Sequence, residues 1–371
     1  MTIRVGILFE FPSLNGGEHS MLSVVRQLRD TFDFHALAPE SGPLANALAE
    51  LQIPHTPFSV RDASGTKRPA DEILIDLEQH QRTLKTGILH ANSLSMARLT
   101  GQLKNNSCRT GHLRDIMRLN RSVVSDLNHN KRLVAVSQAV RDFHHQQGLD
   151  AARCEVIYNG VDIEAFRPAQ RTDRCHLISP AIGDEDFVVL SVGQICLRKG
   201  QQVTAQAVCE LLKHRTDIHL VIVGERFSAK QESRDYEDSL RQIFAAAGVS
   251  EHLHLLGYRD DIPQLMNAAD LLVHSAHQEP FGRVLLEAAS SGLPIIATDV
   301  GGTAEMLHDG VEATLVRANE SGDLAAAIRQ AMDSPARLQR LASSARQRIC
   351  DSFTIKIASQ QLADFWSWVS R

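Results

Sequence analysis

The sequence holds no run of about 18 apolar residues, so nothing in it is expected to span a membrane. Its six cysteines (Cys108, Cys154, Cys175, Cys196, Cys209 and Cys350) are scattered and form no C-x-x-C pair. That excludes a disulfide framework or a thiolate zinc site and points to a reducing compartment. The first residues, MTIRVGILFEF, enter a strand-like run directly. They lack the long apolar core and small-residue cleavage site of a secretory signal, so a cytoplasmic protein is expected. No positive excess suggests nucleic acid, since the formal net charge is −5. No strand-like run leads into G-x-G-x-x-G, which argues against a nicotinamide dehydrogenase. Tandem repeats and low-complexity tracts are also missing. Only two tryptophans occur, both in the amphipathic LADFWSWVSR, which reads as a closing helix packed as core.

What is present is a globular composition, 43% hydrophobic and 22% charged, over 371 residues, a length that suggests two domains. Apolar strand-like runs alternate with helical stretches. RVGILFEF is followed by a Gly-Gly turn and the helical EHSMLSVVRQLRD; DFHALAP, TGILHAN and RLVAVS are further strands. RPAQRTDRCHLISPAIGDED is polar, rich in breakers and linker-like. The rhythm then restarts with FVVLSVG, IHLVIVG, LHLLG and DLLVHSA. Two rounds of alternation predict two α/β domains with parallel sheets. The expected division is 1–170, 171–350 and a closing helix over 351–371 that can pack back on the first domain. Ligands of such sheets sit beyond the carboxyl ends of the strands. Gly16-Gly17, His90, Gly193, Gly224 and Glu279 all fall there.

The stretch SAHQEPFGRVLLEAASSGLPIIATDVGGTAE, residues 275–305, carries the most chemistry. Pro280 and Gly282 break the chain, so a helix can begin only around Phe281 to Arg283. A helix start offers unpaired N–H groups and the positive end of a dipole, a ready anion site. Glu287 lies five residues beyond Gly282, roughly 7–8 Å along the axis at 1.5 Å per residue, and a carboxylate can accept both hydrogen bonds of a vicinal diol such as a ribose. Glu279, just before the helix, could hold hydroxyls on the other side of the anion. The arrangement suits a sugar–diphosphate–nucleoside. The alternative is a surface glutamate and a second one favoured by the helix dipole.

Residues 98–141 hold nine Lys or Arg against Asp115 and Asp126, a local excess of seven in an acidic chain. They read either as a solvated face or as a landing surface for an anionic acceptor or lipid headgroups. Helical spacing would put Arg114, Arg118 and Arg121 on one face of the second kind.

These residues together resemble the retaining glycosyltransferases of family four, over nearly the whole chain. The strongest match is EPFGRVLLEA at 279–288, with two glutamates separated by seven residues. NGGE at 15–18, IYNGVDIEAF at 157–166, KG at 199–200, LLGYRDDIPQLMNAADLLV at 255–273 and GGTAE at 301–305 support it. The resemblance implies the GT-B fold, in which two Rossmann-like domains face each other across a cleft. It implies transfer of a sugar from a nucleotide diphosphate sugar to an acceptor hydroxyl, with retention and without a metal. UDP is the expected nucleotide. Glu287 would bind the ribose and Glu279 the donor sugar, while N–H groups near Phe281, Gly282 and Arg283 take the diphosphate, with Pro280 lining the same donor-binding turn. Lys199 would neutralise the diphosphate as it leaves, and Gly257, Tyr258 and Arg259 would form the turn that holds the base. Gly16 and Gly17 resemble the glycine loop where backbone approaches the ligand, which suits residues without a Cβ. The family's active-site histidine falls on His112, with His90 as the other candidate and Arg114 and Asp115 beside an acceptor. One departure stands out: Gln194 occupies the place of an arginine that would pair bidentately with phosphate, and Arg198 and Arg283 are the candidates to compensate. The Asp-x-Asp of GDED at 183–186 lies in the linker and reads as solvated charge. An epimerase of the same form and a non-catalytic sugar-nucleotide-binding protein are the alternatives.

Overall fold

The computed structural model describes residues 2–105, 107–170, 173–228 and 230–371. The chain divides into two compact units: the first runs to Gly160 and takes in Ile355–Arg371, and the second is Val161–Thr354. The first unit holds strands β1 (Arg4–Leu8), β2 (Asp33–Ala38), β3 (His55–Pro57), β4 (Ile88–Ala91), β5 (Arg109–Leu113), β6 (Arg132–Ala135) and β7 (Cys154–Val156). They form one parallel sheet in the order β3-β2-β1-β4-β5-β6-β7. The second unit holds β8 (Phe187–Val192), β9 (Ile218–Val223), β10 (Leu253–Leu255), β11 (Leu271–His274), β12 (Ile295–Thr298) and β13 (Thr314–Val316). Its parallel order is β10-β9-β8-β11-β12-β13.

The strand sequences follow from this architecture. Helices cover both faces of a parallel sheet, so inner strands are near-continuous apolar runs; all six residues of β9, IHLVIV, are buried. The outermost strands are cut to three residues each, a length that offers little free edge for unwanted pairing. Each sheet reverses its winding once, between β1 and β4 in the first unit and between β8 and β11 in the second. Crevices for ligands open beyond the carboxyl ends of strands at such points.

The last helix, Ile355–Val369, belongs to the first unit: Leu362, Phe365, Trp366 and Val369 are buried in its core with Val5, Ile7, Met21 and Phe34. The expected division at 170/171 moves to 160/161 for a local reason. Val161 N–H donates to the Phe353 carbonyl at 2.9 Å, and Ala169 N–H to Asn267 Oδ1 at 2.8 Å, so 161–170 is tied into the second unit. The stretch read as linker is built in as well. Arg174 is only 2% exposed; its guanidinium reaches the carbonyls of Ala268 and Asp186, at 2.6 Å each, and Asp270 Oδ2 at 2.5 Å. Asp186 of GDED is likewise engaged, accepting from Gly183 N–H at 2.6 Å. Among the described residues no helix is long and apolar enough to cross a membrane.

Candidate active site

The helix Arg283–Ser290 starts where its breakers require. Gly282, immediately before it, has φ +89°, and an added Cβ would lie 2.9 Å from Leu285 Cδ1 and 3.2 Å from Glu279 Cγ. Glycine is therefore demanded both by backbone conformation and by space. Glu279 precedes this turn and its side chain is buried. Lys199 Nζ lies 2.6 Å from Glu279 Oε2, and His274 Nε2 lies 2.8 Å from the same oxygen. Burial works against charge on Glu279, but the Lys199 ammonium and the His274 hydrogen bond outweigh it, and the carboxyl is held well below its usual range. Burial, and then the Lys199 charge, lower His274, so its imidazole is neutral and donates from Nε2. Glu279 Oε1 makes no hydrogen bond among the described residues.

The topology brings these groups together. Lys199 follows β8 and Glu279 follows β11, the two strands flanking the winding reversal. Ser275 holds the loops in register: its hydroxyl reaches the Gly200 carbonyl and Thr204 Oγ1, each at 2.8 Å. One strand further out, the turns after β8, β9 and β10 are joined by backbone bonds. Ile195 N–H donates to the Glu225 carbonyl at 3.0 Å, and Gly224 N–H to the Gly257 carbonyl at 2.8 Å. Tyr258 N–H donates to Glu225 Oε1 at 3.2 Å, and the Tyr258 side chain is exposed. Arg259 is engaged with Asp261, Nε to Oδ1 at 2.7 Å.

Glu287 is buried one turn into the helix, and its Oε1 receives Arg283 Nε at 3.1 Å and Nη2 at 2.6 Å. Glu287 Oε2 makes no hydrogen bond among the described residues. Arg283 is thus engaged with Glu287, which weakens its case as a substitute for the arginine that Gln194 replaces. Arg198 is exposed and reaches the Gln278 carbonyl at 3.3 Å. The Gln194 carbonyl accepts from Gln201 Nε2 at 2.9 Å.

In the first unit, Gly16 and Gly17 open the helix Gly16–Leu28 after β1, and Asn92 follows β4 across the winding reversal. Asn92 Nδ2 donates to the Gly17 carbonyl at 3.2 Å. Arg114 Nη2 and Nε reach Asn92 Oδ1 and its carbonyl at 3.0 and 3.1 Å, and Nη1 reaches Asn159 Oδ1 at 3.0 Å. His112 lies within β5 rather than after it. It is 4% exposed, and its Nδ1 is 2.7 Å from Nε2 of His90, on the neighbouring β4. The two histidine candidates form one pair.

The helical face expected for Arg114, Arg118 and Arg121 does not exist. Residues 114–120 are non-helical, and a helix begins only at Arg121, capped by Asn120, whose side chain accepts from Val123 N–H. Other charges of this stretch are used internally: Arg98 pairs with Asp126, Lys131 Nζ reaches the Val369 carbonyl, and Arg132 stacks on Trp368. Sequence reasoning missed His274, Ser275 and Thr204. His274 closes the apolar run LLVH and reads there as an ordinary strand residue; only its closeness to Glu279 marks it.

The architecture is that of the GT-B glycosyltransferases. The profile of the Glycosyl transferases group 1 matches residues 177–348, and that of Glycosyltransferase Family 4 matches residues 14–165. The chain belongs to this family. It is similar to D-inositol 3-phosphate glycosyltransferase of Nocardia farcinica, 32% identical over 216 residues that make up 57% of this chain and 47% of that protein. The protein of the same name from Pseudarthrobacter chlorophenolicus is 31% identical over 247 residues, 65% of this chain and 56% of that one. The chain spans about half the length of the curated relatives it matches. Among solved structures it resembles Anabaena HepE in complex with UDP, with TM-score 0.84 and 25% identity over 98% of this chain and 100% of that one.

Proposed function

We propose that the protein transfers a sugar from a UDP-sugar to an acceptor hydroxyl, with retention at the transferred carbon and without a metal. The observation that carries this reading is the buried Lys199–Glu279–His274 cluster at the winding reversal of the second sheet, beside a helix start. In this reading the helix N-terminus and Lys199 take the diphosphate and stabilise its charge as it leaves. Glu279 holds donor-sugar hydroxyls through Oε1, and Glu287 holds the ribose through Oε2. The turn at Gly257–Arg259 holds the base through backbone groups. Retention follows from attack on the face the diphosphate leaves, the leaving phosphate accepting the acceptor's proton. Similarity to a structure containing UDP supports the choice of nucleotide. Relatives named for inositol 3-phosphate make phosphorylated polyols the first acceptors to try, and an anionic or lipid-linked acceptor is part of the same proposal.

The test is a thermal-shift screen with UDP-, GDP- and ADP-sugars, because a ligand of the native state raises apparent stability. It is followed by donor turnover with and without acceptors. A shift with UDP-sugars and acceptor-dependent UDP release supports the reading. Binding without any turnover would favour the non-catalytic alternative that Gln194 prompts, and no nucleotide preference would count against UDP.

A further inference from the structure

The buried histidine pair of the first unit has a third member supplied by the last helix. Trp366 is fully buried, held edge-on by Phe32 and Phe34 at 5.6 and 5.8 Å between ring centroids. Its Nε1 lies 3.2 Å from His90 Nδ1. Thr110 Oγ1 is 2.8 Å from that same Nδ1, and His90 Nε2 is 2.7 Å from His112 Nδ1.

The indole sets the bond roles along this chain. An indole N–H can only donate, so His90 Nδ1 accepts from it and carries no proton; the Thr110 hydroxyl, 2.8 Å away, shares that nitrogen's one lone pair as a second donor. Burial, and then the Arg114 charge, push His90 down to about 3, so the ring is neutral and its single proton sits on Nε2. That proton is given to His112 Nδ1. His112 is held well below its ordinary value by burial, then by the Arg114 charge. It is neutral too, and with Nδ1 accepting, its proton sits on Nε2. The His112 ring makes no other hydrogen bond among the described residues. The alternative pairing, with both protons on Nδ1, would point an N–H of His90 at the N–H of Trp366.

We propose that Trp366 and His90 are positioning residues that lock His112 as the Nε2–H tautomer, so that it gives a hydrogen bond to a substrate oxygen and does not act as a proton acceptor. The proposal rests on the reading of His112 as the active-site histidine. It assigns the last helix a role beyond packing, because that helix carries the group that sets the tautomer. The logic is that of any imidazole whose second nitrogen is fixed by its neighbour.

The tautomer can be read directly on the full chain labelled with ¹⁵N-histidine, by two-bond ¹H–¹⁵N correlation at pH 7, with the His90→Gln and His112→Gln variants for assignment. Both rings should show the Nε2–H pattern. In Trp366→Phe the constraint is gone; His90 can turn its proton to Nδ1 and donate to Thr110, and the pair should populate the reversed form. Turnover should then fall on the order of tenfold, the scale of lost outer-shell partners, with donor KM little changed. Replacing Trp366 by benzothienylalanine, which keeps the ring shape and drops only the N–H, should do the same if Trp366→Phe does not fold. An Nδ1–H signal from His112 in the unaltered chain would overturn the proposal. So would a folded Trp366 variant with the tautomer and turnover unchanged. Failure of the site reading looks different: His112→Ala would leave donor turnover untouched while the His112 signal still reports the Nε2–H form.

Discussion

Lys199 and Glu279 form a buried ion pair across the two strands at which the second sheet reverses its winding, Nζ to Oε2 at 2.6 Å with side chains 15% and 7% exposed. The carboxylate keeps its charge only because the ammonium and His274 face it. On the proposed reading, a cation held this firmly before any ligand arrives is preorganised for the charge that develops on a leaving diphosphate.

Lys199→Ala should therefore lower kcat by about 10²–10³-fold, the scale of a lost stabilising donor, and raise the donor KM far less. Steady-state kinetics on both parameters decide it. A pure KM effect would mean that the lysine binds the ground state and the transition state alike.

Glu287→Ala should weaken UDP-sugar binding on the order of 100-fold, or about 2.7 kcal/mol. Stability should change less, because Arg283 is 25% exposed and can turn to solvent once Glu287 is gone. Calorimetry of nucleotide binding beside a thermal melt separates the two. Unchanged affinity would remove Glu287 from the site, and a large drop in melting temperature with it would make its role structural.

Much of this was legible in sequence, and the failures have physical causes. FVVLSV and IHLVIV announce central parallel strands because both faces are buried, and P-F-G before VLLEA announces a helix start. The edge strands β3, β7 and β13 were missed, since three residues are too short to show a period. Arg114, Arg118 and Arg121 have helical spacing without a helix. Arg114 is drawn to Asn92 and Asn159, partners 22 and 45 residues away. Arg174 sits in a stretch that reads as linker, yet its counter-charge, Asp270, is 96 residues on. Long-range polar partners leave no local pattern.

Acid should destabilise the fold well before carboxylates titrate. Burial, and for His254 also the neighbouring His219 and His252, lower His90 to about 3 and His254 to about 4; His112 and His274 are also lowered. A histidine's ordinary value is about 6.5. Between these limits the unfolded chain binds more protons than the folded one, so stability is fully present above about pH 6.5 and falls as the pH drops toward 4. Urea midpoints at pH 7 and pH 5 should differ, the lower at pH 5. Equal midpoints would contradict the neutral burial of these rings. Glu279 adds its own loss only at more acidic pH, below the ordinary range of a glutamate.

On the proposed reading Lys199 and the helix start supply the positive charge that a metal would otherwise bring, so EDTA should leave turnover intact. Loss of activity on chelation, restored by Mn²⁺, would overturn the metal-free scheme.

The last prediction uses the glycine that closes the Lys199 turn. Gly200 has φ +65°, and a Cβ placed there would lie 2.1 Å from the Ser275 carbonyl oxygen and 3.1 Å from His277 Cε1. The first obstacle is backbone, which cannot rotate away, so the loop carrying Lys199 or the one leading to Glu279 must move. Either shift breaks the register that Ser275 sets through its bond to the Gly200 carbonyl. Gly310 is the control: its φ is +72°, but a Cβ there meets nothing within 4 Å. Gly310→Ala carries only the strain of the left-handed backbone, about 1–2 kcal/mol, and should keep its turnover. Gly200→Ala carries the same strain plus the clash, and should lose both stability and donor turnover. Melting temperatures and kcat of the two variants side by side test this. Equal losses would show that the Lys199 loop is free to move, and that the buried pair with Glu279 does not depend on how closely the two loops approach.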